Sequence, residues 1–289
     1  MRYISDEEGS DRWTRFAHRP GDIVISTRSK SGTTWLQMIC ALLVLRTPEL
    51  PRPLGELSPW LDWLVSPEEE VFAGLAAQSH RRFIKTHTPL DGLPWHAEVT
   101  YIVAGRHPLD LALSLYHQGR NLDRARIAEL TGAPEAASPT VPEREWLRAW
   151  ISRDADPRTA MDSLPGVLAH LRDAWSRRHE PNVLLVHYDD LLADLGSEMR
   201  RVAAALGIAV PVTSWPSLIG AASFAAMRSR APSLVPDRQG VLRDPSAFFR
   251  QGRSGSGSAA VSRADLALYR SRVAALAPPD LLAWLHRGR

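Results

Sequence analysis

Lysine is almost missing from this chain: of its 35 basic residues, only Lys30 and Lys85 carry an ammonium, and the rest are arginine. Cysteine is scarcer still. The single Cys40 excludes an internal disulfide, and its place in an apolar run reads as a small buried hydrophobe, not a nucleophile. No apolar stretch approaches the ~18 residues of a membrane span. The opening MRYISDEEGSDRWTRF mixes charges without a signal-peptide core. A soluble, cytoplasmic protein with no membrane span is therefore expected. Internal repeats are lacking too, as is a linker between two apolar cores, so residues 1–289 are expected to fold as one domain. At 44% hydrophobic, such a chain can bury a large core. Basic residues are not interleaved with aromatics along any strip. The pairs Arg81-Arg82, Arg177-Arg178 and Arg200-Arg201 read as solvated faces, which argues against a nucleic-acid partner. The excess charge of +3 and pI near 9.3 suit an anionic small ligand.

What the chain does have is alternation. DIVIS (22–26), RFIKTH (82–87), TYIVAG (100–105) and NVLLVHY (182–188) are short apolar or β-branched runs bounded by polar residues, the pattern of buried strands. Helical patterns cover 33–45, 108–120, 143–152, 164–178 and 190–206. Strand–helix alternation predicts an α/β fold with a central, largely parallel sheet flanked by helices. Residues 128–142 and 228–262, rich in Pro, Gly and Ser, read as long loops, and the run GRSGSGSAA between 228 and 262 is nearly featureless.

DIVISTRSKSGTTWLQMICALLV reads as strand, small-residue turn and helix, a P-loop-like phosphate cradle. Leu36, Ile39 and Leu43 mark the inward helix face. Free backbone N–H groups at the helix start, near Ser31 to Thr33, form an anion site together with the positive end of the helix dipole. Gly32 allows close approach, Thr33 and Thr34 add hydroxyls, and Lys30 adds a point charge. The nucleotide-triphosphate pattern G-x-x-x-x-G-K-[ST] is not met: the first glycine is absent and the lysine precedes the glycine. An ordinary strand–helix turn with a surface lysine is the alternative. Asp189-Asp190, at the end of an apolar strand, read either as a magnesium site or as helix N-capping residues, with capping favoured.

Further motifs carry a resemblance. KSGTTW after a strand resembles the 5′-phosphosulfate loop of cytosolic-type sulfotransferases that use 3′-phosphoadenylyl sulfate (PAPS). AGRHPLDLALSLYHQ resembles their 3′-phosphate motif, KTHTP their catalytic segment, VHYDDLLAD their adenine-side tyrosine, ASFAAMR their Ser-Phe-x-x-Met element and FFRQG their Arg-x-Gly loop. The six occur in the family's order from residue 22 to about 255. RRFIKTHTPLDGLP and APPDLLAWLHRGR are most similar to the mycobacterial glycolipid sulfotransferases.

The resemblance implies sulfuryl transfer from PAPS, with PAP as product and no metal. An ammonium on a flexible stem can follow charge from the sulfate to the leaving 5′-phosphate, whereas a guanidinium suits a static bidentate grip. Lys30 would stabilise the bridging and leaving oxygens, and Lys85 would contact the sulfuryl oxygens. His87 would act as base; two residues from Lys85, it shares that residue's strand face. On its own, a strand-end histidine is more often structural. Ser31, Gly32, Thr33 and Thr34 would cradle the 5′-phosphate, and Arg106, Ser114, Arg250 and Gly252 the 3′-phosphate. Trp35, Tyr188, Ser223 and Phe224 would hold adenine. The residues alone leave other readings open: Arg106 could pair with Asp110, Ser114 could lie on a helix surface, and Trp35 and Phe224 could be core aromatics.

The chain departs from the family at Gly255-Ser256-Gly257, where relatives read Gly-Asp-Trp, and at Ala222, where many have threonine. Loss of the bulky residue predicts a mobile loop around Arg250. The short dimer motif of animal relatives is not recognisable near residue 260, which leaves the oligomeric state open. Segments near 54–72, 120–145 and 228–245 would wall a small-molecule or lipid acceptor, and Trp60, Trp63, Leu64 and Phe72 point to an apolar one, or to core. Rival readings are a magnesium-dependent kinase and a nucleotide-binding module without turnover; Lys30, Lys85 and His87 speak against the latter.

Overall fold

Four short runs form the sheet: β1 (Ile23–Ser26), β2 (Phe83–Thr86), β3 (Thr100–Gly105) and β4 (Val183–His187). The computed structural model describes residues 1–138, 140–235, 237 and 239–287. Positions 139, 236 and 238, in the two expected loops, and 288–289, at the end of the expected domain, lie outside the described residues. All pairings are parallel, in the order β2-β1-β3-β4. Side chains alternate across each strand, so Ile23, Ile25 and Phe83 join the core on one face while Val24, Ile84 and Tyr101 join that on the other. Cover on both faces is why these strands read as unbroken apolar runs.

The helices that matter to the site are α1 (Thr33–Leu45), α2 (Pro108–Asn121), α3 (Arg124–Thr131), α4 (Glu143–Ser152), α5 (Leu164–Ser176), α6 (Tyr188–Ala193), α7 (Leu195–Ala205), α8 (Phe224–Ser229) and α9 (Ser256–Ala260). Every residue of α1 from Thr33 to Leu43 is buried, as suits a helix apolar nearly all round. It packs on one sheet face, and α5 packs on the other through Leu164, Val167, Leu168 and Leu171. Pro108 opens α2, where its missing N–H costs nothing.

Three expectations are corrected. The helix expected over 190–206 is two, α6 and α7. Asp194 has extended φ (−151°) and accepts from the Ser197 N–H at 2.9 Å and its hydroxyl at 2.6 Å, so a local cap outcompetes continuation. The loop expected over 128–142 begins after α3, which Gly132 ends at φ 70°. The featureless GRSGSGSAA contains α9, which packs on α2. A Cβ at Gly257 would overlap the Leu109 carbonyl, so the small residues that resemble a linker are what let two helices touch. Asp110 ties the contact, accepting from the Gly257 N–H at 2.7 Å and the Gly255 N–H at 3.0 Å. These bonds tie the start of α9 to α2.

Candidate active site

The crevice lies beyond the carboxyl ends of β1 and β3. These are adjacent strands whose connections run in opposite directions, the place where open α/β sheets bind ligands. Residues 27–32 leave β1 and turn into α1. Lys30 (φ 66°) and Gly32 (φ 103°) both adopt the left-handed conformation, which is uncommon for a non-glycine residue. Gly32 also admits a neighbour: a Cβ there would sit 3.0 Å from the Tyr188 ring. The Thr27 and Thr33 hydroxyls share a 2.5 Å hydrogen bond across the loop. Arg106, just past β3, donates to the Lys30 carbonyl at 2.8 Å and fixes the turn from the neighbouring strand.

The Lys30 ammonium donates to Gln118 of α2 at 3.2 Å and lies 4.2 Å from the Phe248 ring centre. Burial, then repulsion by Arg106, Lys85 and Arg250, pushes its pKa down to about 7. Lys85 is buried with its Nζ 3.7 Å from the Trp60 ring centre, and burial lowers its pKa to about 8. β2 ends at Thr86, so His87 lies one residue beyond the strand instead of closing it. Its Nδ1 bonds to the Thr27 carbonyl, which can only accept, so Nδ1 carries the proton and Nε2 keeps its lone pair. Burial, reinforced by Lys85 and Arg28, holds its pKa well below the usual histidine value. His87 is thus neutral at neutral pH.

On the other side of Lys30, the Arg106 guanidinium stacks 4.2 Å from the Tyr188 ring centre, and its Nε is buried with no hydrogen-bond partner among the described residues. The contemplated Arg106–Asp110 pair does not form, because Asp110 serves the amides of 255 and 257. Trp35 meets Tyr188 edge-on at 5.5 Å and gives its N–H to the Ala222 carbonyl. Gly252 (φ 59°) lies flat on Phe224, where any Cβ would overlap the ring. Asp189 and Asp190 do not cap α6. His187 does, accepting from the Asp189 N–H, while Asp189 accepts from Ser254 and Asp190 pairs with Arg287.

One cavity of about 440 Å³ gathers Lys30, Gly32, Thr33, Thr34, Trp35, Lys85, His87, Arg106, Ser114, Tyr188, Phe224, Arg250 and Gly252. Ser31 and Ser223 are not on its wall. Ser31 is buried in the turn, and the Ser223 hydroxyl caps α8 at the Ala226 N–H and donates to the Gly220 carbonyl. Beyond Lys85 the wall turns apolar. Trp60 and Trp63 stack at 5.0 Å, and Trp63, Ile127 and Val241 form a small cluster. Leu64 is not on the wall, and Phe72 packs against Phe16 in the core. Sequence reasoning missed Arg28. It is buried, donates to the His87 carbonyl and pairs with Glu8 (3.4 Å) and Asp162 (2.7 Å). Its neighbour relation to Lys30 was the only available signal.

A sequence model of the Sulfotransferase domain matches residues 20–263. A glycolipid sulfotransferase of Mycobacterium bovis is 43% identical over 301 residues, covering 96% of this chain and 91% of the relative. Among solved structures, retinol dehydratase in complex with androsterone and inactive cofactor PAP aligns with a TM-score of 0.71 at 20% identity, over 93% of this chain and 86% of that one. Mouse sulfotransferase SULT7A1 complexed with PAP aligns at 0.67 and 22% identity, over 96% and 88%.

Proposed function

The chain belongs to the sulfotransferase family and is a transferase, and from that premise we propose that it moves a sulfuryl group from PAPS to a hydroxyl on a largely apolar acceptor. The observation that carries this reading is the convergence of both lysines of the chain and a histidine with a free Nε2 on one cavity. The fit to an anionic nucleotide rests on two features. Lys30 is repelled there by Arg106, Lys85 and Arg250, and the buried Arg106 Nε lacks a partner among the described residues. Negative charge would relieve the first and satisfy the second.

In this reading, Lys30, the Thr33 and Thr34 hydroxyls and the amides at the start of α1 hold the 5′-phosphosulfate. Arg106, Ser114, Arg250 and Gly252 hold the 3′-phosphate, and Trp35, Tyr188 and Phe224 flank the adenine. PAPS supplies an activated sulfuryl group. It carries less negative charge than a terminal phosphate, so ammonium groups can replace magnesium as the charge partner. His87 Nε2 takes the acceptor's proton as its oxygen attacks in line, while Lys85 steadies the equatorial oxygens and Lys30 the leaving phosphate. The Trp60–Trp63 wall and the Ile127–Val241 patch would seat the acceptor's apolar body, in keeping with the glycolipid activity named for the mycobacterial relative.

The test is turnover of labelled PAPS against lipid, glycolipid, phenolic and secondary-metabolite acceptors in the presence of EDTA. Sulfation of a hydroxyl-bearing apolar acceptor is expected. Complete loss of activity in EDTA, restored by magnesium, would overturn the metal-free mechanism. Sulfation of highly charged polysaccharides alone would overturn the acceptor class.

A further inference from the structure

Two consecutive residues just past β1 hold His87 at two points. The Thr27 carbonyl accepts from the ring at Nδ1, and the next residue, Arg28, donates from Nη1 to the His87 backbone carbonyl. His87 lies beyond the last register pair of β1 and β2, Ser26 with Thr86, so its position depends on contacts such as these. The Thr27 N–H reaches the Thr86 carbonyl at 3.2 Å, which sets Thr27 beside it. Arg28 lines the cavity, yet its guanidinium is buried and turned to protein acceptors on three separate segments. Besides the His87 carbonyl, Nη1 reaches Glu8 of the N-terminal segment at 3.4 Å, and Nη2 donates to Asp162, just before α5, at 2.7 Å. The cradle half of the same turn has ties of its own. The Thr27 and Thr33 hydroxyls bond to each other, and Arg106 holds the Lys30 carbonyl.

We propose that Arg28 is a positioning residue for His87: it anchors the carbonyl of that residue, so that the ring stays on Thr27 with its proton on Nδ1 and its lone pair on Nε2. The proposal rests on the reading of His87 as the base. A guanidinium suits the task because its rigid, planar fork can bridge the His87 carbonyl and the Asp162 carboxylate in one fixed geometry. An ammonium, a point charge on a flexible stem, keeps the charge but not the bridge. Without the donor, a buried carbonyl would be left short of a partner, and the segment would shift to satisfy it. Once the ring is free of Thr27, either nitrogen can carry the proton, and only one of the two tautomers leaves Nε2 able to accept one. The cradle keeps its own bonds, so the loss falls on the base and not on the phosphate grip.

Ring-nitrogen NMR of protein labelled with ¹⁵N-histidine reads the tautomer directly, with His87 picked out of the ten histidines by His87→Ala. The wild type is expected to show His87 in its Nδ1–H form, and Arg28→Met and Arg28→Lys a mixture of both tautomers. Turnover should fall by ~10²-fold in either variant, while affinity for adenosine 3′,5′-bisphosphate changes by no more than about twofold. Added to His87→Ala, Arg28→Met should cost almost nothing further, because it acts through a group already gone. A pure Nδ1–H form in both variants overturns the proposal, as does an Arg28→Met loss that multiplies with that of His87→Ala. Wild-type turnover in Arg28→Lys also overturns it, since charge without the fork would then suffice. If Arg28→Met does not fold, Arg28→Lys decides by the same readings. The NMR experiment uses neither donor nor acceptor, so it stands apart from the transfer reading, which fails if the wild-type protein does not turn over PAPS.

Discussion

At the scale of single residues, legibility followed chemistry that has few alternatives. Lys30 and Lys85 stood out because the chain otherwise writes its cations as arginine, and both reach the cavity. Ser31 and Ser223 carried the same motif-level warrant yet lie off its wall. A serine at a helix start can face a ligand or cap the helix, and only the backbone decides which. Arg28 was illegible because its partners, Glu8, Asp162 and the His87 carbonyl, are far away in sequence. The residue-scale prediction concerns His87. His87→Ala should lower turnover by ~10² to 10⁴ while leaving bisphosphate affinity nearly unchanged, checked by steady-state kinetics beside a binding titration. Near-wild-type turnover would make His87 a structural residue. Because burial holds its pKa well below the ordinary value, it stays neutral as pH falls, and turnover should show no acid-side loss between about pH 6 and 7 from this group.

Among elements, the four strands and the helices 33–45, 108–121 and 143–152 were readable to within a residue or two, because periodicity and bounding turns agree there. α9 was not. Its Gly-Ser-Gly opening has no periodicity, and the helix exists because Asp110 caps the amides of 255 and 257 from another element. This makes Gly257 the sensitive point. Gly257→Ala would force a methyl into the Leu109 carbonyl and push α9 off α2, at a cost of about 1–3 kcal/mol. The expected result is a lowered melting temperature together with weakened binding of adenosine 3′,5′-bisphosphate, since the displaced loop carries Arg250. Ser256→Ala, which removes only an exposed hydroxyl bond to Gln251, should have a much smaller effect on both. A thermal-shift titration of both variants checks it.

For the molecule as a whole, the two ammoniums tie stability and ligand affinity to pH in opposite senses. In the free protein their pKa values lie near 7 and 8, below the 10.5 of an ordinary lysine. Between these limits the unfolded chain binds more protons, so their contribution to stability rises as pH rises from about 7 towards 10. An anion prefers the charged forms, so bisphosphate affinity should fall over the same range, by up to tenfold per pH unit for each lysine that titrates. Calorimetry in buffers of different ionisation enthalpy should record proton uptake on binding near pH 8; binding without it would mean that neither lysine meets the ligand. Among the described residues no helix is long and apolar enough to cross a membrane. The order of the strands has a last consequence. The loops proposed to grip the two phosphates leave β1 and β3, hydrogen-bonded neighbours held at about 4.8 Å by the ladder between them and joined again by the Arg106 bond to the Lys30 carbonyl. On the proposed reading the sheet would work as a ruler. Its spacing cannot stretch without breaking the core, so the protein should measure the separation of phosphates on a ribose and reject the 2′,5′-bisphosphate isomer, equal in charge and composition, on length alone.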